Sequence, residues 1–172
     1  MSKAKLKKEL TGMTKEQVIN IMLQLYDGSK EAKKWLEFFM EPDVKGELEK
    51  AKKELDKQFT GWKDPSFREC NKIVSAFTKM VTDPAAIIDL MLYYVEQGCE
   101  LTANFGDYEE SFYTALENNF IKALKFIDRY DAMEEYIPRI RKMIKSVECC
   151  GYGFPDTLWD YFYDYGGSDD EE

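Results

Sequence analysis

The chain has 172 residues, 44% hydrophobic and 15% aromatic, enough for one domain that buries roughly 70% of its unfolded surface without outside staples. Its net charge of −9 is uneven: residues 1–80 carry +4, 81–121 carry −8, 122–155 carry +2 and 156–172 carry −7. The body up to residue 155 is thus only −2, too weakly charged for a nucleic-acid mimic or a basic nucleic-acid binder, and the absence of histidine removes the usual general base, metal ligand and nucleophile partner.

Residues 3–10 read as a short basic helix ended by Thr11-Gly12. Thr14 starts a second helix as a capping box with Gln17, and Val18, Ile21, Met22 and Leu25 form its apolar face. Asp27-Gly28 stops it. Ser29 caps a third helix faced by Ala32, Trp35, Leu36 and Phe39, which ends at Pro42. Asp43 begins a fourth, running to Phe59, whose Glu47, Lys50, Lys53, Glu54 and Lys57 are spaced for pairing on a solvated face. Its lysines Lys50, Lys52, Lys53 and Lys57 lack the interleaved aromatics of a nucleic-acid surface.

Gly61–Lys63 is expected as a turn. Asp64-Pro65 then opens a helix to about Met80, with Phe67, Cys70, Ile73, Val74 and Phe77 inward. The central helix spans Asp83 to Phe105, and from Ala85 to Val95 it is apolar at every position except Asp89, so other elements must cover it. Its polar line is Asp89, Tyr93, Glu96 and Glu100, one narrow stripe. Gly98 marks a bend or a close approach of another backbone. Gly106-Asp107 separates this helix from the next, Tyr108 to Tyr130, striped by Phe112, Leu116, Phe120, Ala123, Leu124 and Ile127.

Asp131 starts a helix that Pro138 is expected to kink or divide. A turn over Gly151–Pro155 precedes a last short helix, after which residues 166–172 are expected as a disordered acidic tail. The fold class is therefore all-α, a single domain over residues 1–165 with seven to nine antiparallel helices. A superhelical layer of the HEAT or armadillo kind is the preferred arrangement, with a closed bundle as the alternative.

Three stretches carry a resemblance. Residues 89–127, DLMLYYVEQGCELTANFGDYEESFYTALENNFIKALKFI, residues 13–43 and residues 151–165 are similar to a family of small bacterial proteins known only as a domain of unknown function. The resemblance implies an all-helical cytoplasmic protein and brings no activity, cofactor or catalytic residue.

The functional expectation rests on the acidic, tyrosine-rich surface formed by Asp89, Tyr93, Glu96, Glu100, Asp107, Tyr108, Glu109 and Tyr113. It predicts a non-catalytic protein-interaction module whose partner is a protein, basic where it meets the stripe. Tyr94 is a further candidate for aromatic lining. Carboxylate-only metal binding, with or without catalysis, is the first alternative, although helical di-metal sites normally add a histidine. Nucleic-acid association through the first 80 residues is the second. No cofactor and no membrane partner are expected, since no apolar run nears the ~18 residues of a spanning helix. Cys70, Cys99, Cys149 and Cys150 have no shared spacing, which fits reduced thiols in the cytoplasm.

Overall fold

A computed structural model describes residues 1–60 and 63–168. Among these, nine α-helices and no strand are found, so the all-α expectation holds. The turn expected at Gly61–Lys63 falls mostly outside the described residues, as do the last four residues of the expected tail. By its internal contacts the chain forms two compact units, Met1–Asp43 and Val44–Glu172.

The first unit holds α1 (Lys3–Thr11), α2 (Lys15–Gly28) and α3 (Lys30–Met40), with α2 packed on α3. The caps are those the sequence calls for. Thr14 and Gln17 exchange backbone and side-chain bonds at 3.2 and 2.9 Å, and the Ala32 N–H donates to Ser29 Oγ at 3.2 Å.

The second unit contains α4 (Val44–Asp56), α5 (Phe67–Met80), α6 (Pro84–Phe105), α7 (Glu110–Arg129), α8 (Met133–Lys145) and α9 (Phe154–Asp164). Helix α6 touches α4, α5, α7 and α8, and α9 closes on α7 and α8. Eleven α6 residues are buried, as its all-round apolar sequence requires. Ile88, Leu92 and Val95 meet Leu116, Phe120 and Leu124 of α7, Ile140 and Ile144 of α8, and Phe154, Leu158 and Phe162 of α9 in one core. Each such side chain contributes roughly 1.5–3 kcal/mol by leaving water. At Gly98 the α7 side chain Leu116 packs directly onto α6: a Cβ there would overlap it.

Several boundaries differ from expectation. Helix α4 ends at Asp56, three residues short of Phe59. Asp64-Pro65 does not open α5; Ser66 does, accepting the Glu69 N–H at 3.4 Å, and Pro65 is buried ahead of it. Helix α7 begins at Glu110, because Gly106 at φ +92° ends α6 and leaves the next residues extended. Pro138 neither ends nor divides α8. It is the sixth of the helix's thirteen residues, and its ring removes the bond that an N–H there would have given to the Glu134 carbonyl.

Candidate functional site

The polar stripe of α6 divides into two parts with different fates. In the first, Arg139 of α8 reaches across to α6. Its Nε and Nη2 donate to both Glu96 carboxylate oxygens at 2.7 and 2.8 Å, a forked pairing, and Nη1 donates to Asp89 Oδ1 at 2.6 Å. A further Nη2 bond reaches the Asp89 carbonyl at 3.3 Å. From α4, Lys52 Nζ donates to Asp89 Oδ2 at 2.8 Å and lies 4.9 Å from the Tyr93 ring centroid. The Tyr93 hydroxyl donates to Asp56 Oδ1 at 2.6 Å.

Electrostatics follow from this geometry. Burial pushes the Asp89 carboxyl up, but Lys52 and Arg139 outweigh it and hold the group below the usual carboxylate range. Burial works against the Arg139 cation, yet Glu96 and Asp89 raise its pKa. The Tyr93 hydroxyl is raised by burial and by Asp56. Three expected surface residues are therefore spent on ties among α4, α6 and α8. Glu100, the end of the stripe, is exposed and its carboxylate accepts a long bond from Gln97 at 3.4 Å.

The second part is a polar knot behind the α6–α7 turn. The Tyr113 ring is buried, and its hydroxyl donates to Asp107 Oδ1 at 3.0 Å while accepting the Tyr108 N–H at 3.3 Å. It also lies 2.9 Å from the Thr102 hydroxyl. Asp107 Oδ1 accepts the Gly151 N–H at 3.0 Å, which fastens the α8–α9 loop to the turn. That N–H and the Tyr113 hydroxyl keep the Asp107 carboxyl below its ordinary value.

Above the knot lies an open recess of about 590 Å³. Its floor is aromatic: Tyr108 stacks on Phe112 with centroids 4.4 Å apart, and Phe67 meets Phe112 edge-on at 5.5 Å. Asp64, Asp107 and Glu109 stand on its rim, and among the described residues that line it none is basic. Burial and the Asp64 charge together raise the Tyr108 hydroxyl. Neither the Asp64 nor the Glu109 carboxylate accepts a hydrogen bond from another described residue; Glu109 occupies the N-cap of α7, its carbonyl accepting the Phe112 N–H at 2.9 Å, without a side-chain cap bond.

Tyr152 forms one wall. It is 64% exposed and its backbone sits at φ +59°, the left-handed region that costs a non-glycine residue about 1–2 kcal/mol. A large exposed ring held at such a cost stands out in the second unit.

Of the eight expected surface residues, Asp107, Tyr108 and Glu109 come together at the recess and Tyr113 supports them from below. Asp89, Tyr93 and Glu96 form the separate clamp, and Glu100 stays exposed beside Gln97; Tyr94, the further candidate, is buried in the core. Asp64, Phe67, Phe112 and Tyr152 were not foreseen in this role. Asp64 reads as a helix cap and Phe67 and Phe112 as core from the sequence, and only the chain's return at Gly151 brings Tyr152 alongside. The clamp partners Lys52 and Arg139 carry one signal: each is a base near apolar spacing on an amphipathic helix. Among the described residues no group of three or more Cys, Asp or Glu is arranged to hold a metal ion, and no helix is long and apolar enough to cross a membrane.

Fold and surface together define an all-helical protein with an acidic, aromatic-floored recess. A family model of unknown function, DUF6155, matches residues 1–149, and the chain belongs to that family. No curated protein and no solved structure matches the chain. The matched stretch contains the clamp and most of the recess; Tyr152 and α9 lie beyond it.

Proposed function

We propose that the protein is a non-catalytic interaction module which receives a lysine- or arginine-bearing segment of a partner protein in the Asp64–Tyr108–Tyr152 recess. The observation that carries this reading is the pairing of two uncommitted carboxylates, Asp64 and Glu109, with an aromatic floor and an exposed, conformationally strained tyrosine wall. A long basic side chain offers both an apolar stem for the rings and a cationic head for the carboxylates. Cation–π contact adds about 0.5–2 kcal/mol and an exposed ion pair about 0–1 kcal/mol, so the affinity expected for one anchor is modest. Buried thiols without a disulfide at Cys70 and Cys99 support a reducing compartment, the cytoplasm, as the protein's location.

The test is a peptide array of varied sequence probed with the purified chain and with an Asp64→Lys, Glu109→Lys variant. Both substituted positions are exposed, so the variant keeps the core intact. The expected result is enrichment of Lys- and Arg-containing peptides that the variant loses, with Tyr152→Gly weakening the same set. If acidic or neutral peptides are enriched instead, or the variant retains the same peptides, the recess is not a receptor for basic segments.

A further inference from the structure

The loop from Glu148 to Gly153 joins α8 to α9 between two anchors, Val147 and Phe154, both fully buried. Backbone ties hold it in place. The Cys150 N–H donates to the Val147 carbonyl at 2.9 Å, the Gly151 N–H to Asp107 Oδ1 at 3.0 Å, and the Phe154 N–H to the Gly151 carbonyl at 3.2 Å. Tyr152, the wall of the recess, follows at φ +59°, so its position is set by the backbone of the residues just before it.

Those residues include two thiols. Cys149 is exposed, and Cys150 is half-buried with Sγ 3.7 Å from the Thr102 hydroxyl of the knot. The two thiols also share a hydrogen bond with each other. Cys99 is shut away in the core, so Cys149 is the thiol that an oxidant in solution meets first. Hydrogen peroxide turns such a thiolate into a sulfenic acid and releases hydroxide. The neighbouring thiol then attacks that sulfur, and the S–O bond breaks to give a disulfide and water. Two thiols and one peroxide thus become one disulfide and two waters.

Between adjacent residues that bond must move the backbone. Consecutive Cα atoms lie about 3.8 Å apart across a trans peptide, whereas an ordinary disulfide spans about 4.4–6.8 Å. Closing the small ring twists the Cys149–Cys150 peptide, whose N–H is the one bonded to Val147, and draws Cys150 Sγ off Thr102. Gly151 and Tyr152 carry no buried side chain to resist, so the shift passes to them. We infer that Cys149 and Cys150 form a redox switch on the recess: peroxide joins them in a vicinal disulfide, and Tyr152 leaves its place as wall. This inference rests on the reading of the recess as a receptor for basic side chains. A strained disulfide is easily reduced, which suits a reversible signal rather than a permanent staple.

The test treats the reduced full chain with hydrogen peroxide, caps the remaining free thiols and digests with trypsin. Lys145 is the last basic residue, so Cys149 and Cys150 share the fragment 146–172, while Cys99 falls in the fragment 80–122. The expected product is the fragment 146–172 lighter by two hydrogens and uncapped at both cysteines. Hydrogen exchange should become faster over residues 149–153, where backbone bonds are lost, and stay unchanged over α7. On the peptide array the oxidised chain should bind Lys- and Arg-containing peptides about 2- to 30-fold more weakly, the loss of one cation–π contact. A thiol reductant should restore them. Cys149→Ser, at an exposed position, should keep its binding under peroxide. A Cys99–Cys150 link joining the two fragments, no link at all, or a vicinal disulfide that leaves exchange or binding unaltered would each overturn the inference. If the reduced chain captures no basic peptide, the recess reading fails on its own account, and exchange over residues 149–153 alone decides the switch.

Discussion

The Arg139 clamp gives the sharpest quantitative expectation. Replacing Arg139 by Met keeps an unbranched apolar stem but removes four hydrogen bonds to Asp89 and Glu96. Removing one partner of a fully buried ion pair costs about 3–5 kcal/mol, and an exposed pair contributes about 0–1 kcal/mol. The side chains here are 27–29% exposed, which places the loss at roughly 2–3 kcal/mol. Against a total of about 5–15 kcal/mol that is a large fraction, and it lowers the melting temperature by roughly 4–12 °C for a chain of this length. Urea unfolding near neutral pH is the assay, because urea leaves ion pairs unscreened. Glu96→Gln alone and combined with Arg139→Met completes a cycle whose coupling should exceed about 1 kcal/mol. The folded carboxyl of Asp89 titrates below its unfolded value, so its contribution is complete above about pH 3.9 and is lost as pH falls through the lower folded pKa. The gap between the unaltered chain and Arg139→Met should therefore narrow below about pH 4. A change under about 0.5 kcal/mol at neutral pH would refute the view that the stripe is a structural clamp.

Gly98→Ala gains helix propensity yet forces a methyl into Leu116, and a net loss of about 1–3 kcal/mol is expected in denaturant melts, partly restored by Leu116→Ala; a neutral Gly98→Ala would mean that α6 and α7 are not in tight contact. Tyr113→Phe leaves the Thr102 hydroxyl and the Tyr108 N–H short of a partner and should lower stability by about 1–3 kcal/mol, whereas an unchanged melt would show that the knot adds nothing. Thiol titration of the native chain should find Cys149 fastest, Cys150 slower, and Cys70 and Cys99 silent until denaturant is added. Burial raises the Cys70 thiol to about 11 and Cys99 higher still, so rapid labelling of either would contradict the core assignment.

What the sequence made legible was local. Caps at Thr14, Ser29 and Asp83 and the all-round apolar run of α6 are decided by neighbours within one or two turns, and they stand where the residues put them. Pro138 does not divide its helix, since α8 runs through it from Met133 to Lys145 on packing that residue spacing alone does not show. The acidic stripe was correctly seen as one line on α6, but whether a carboxylate faces solvent or an arginine is settled by an element some fifty residues away: Arg139 lies |i−j| = 50 from Asp89. The recess shows the same limit. Asp64 looked like a helix cap because Asp-Pro is a common start signal, yet Ser66 two residues later fills that role and frees Asp64 for the rim.

The recess also contains a conflict that bears on what it can bind. It sits at the N-terminus of α7, where unbonded N–H groups and the helix dipole favour an anion by about 0.3–1 kcal/mol. Asp107, Glu109 and Glu110 already supply negative charge at that end, and Asp107 is further committed to the Gly151 N–H and the Tyr113 hydroxyl. An arriving anion would face three carboxylates within one turn, whose repulsion of about 0–1 kcal/mol each opposes the dipole's attraction. An arriving cation meets the dipole already offset, with Asp64 and Glu109 still available as acceptors and Tyr108 and Tyr152 presenting ring surface. The balance favours a cation with an apolar stem, and it depends on Asp64 and Glu109 together: neutralising both returns the end of α7 toward the anion preference of an ordinary helix start.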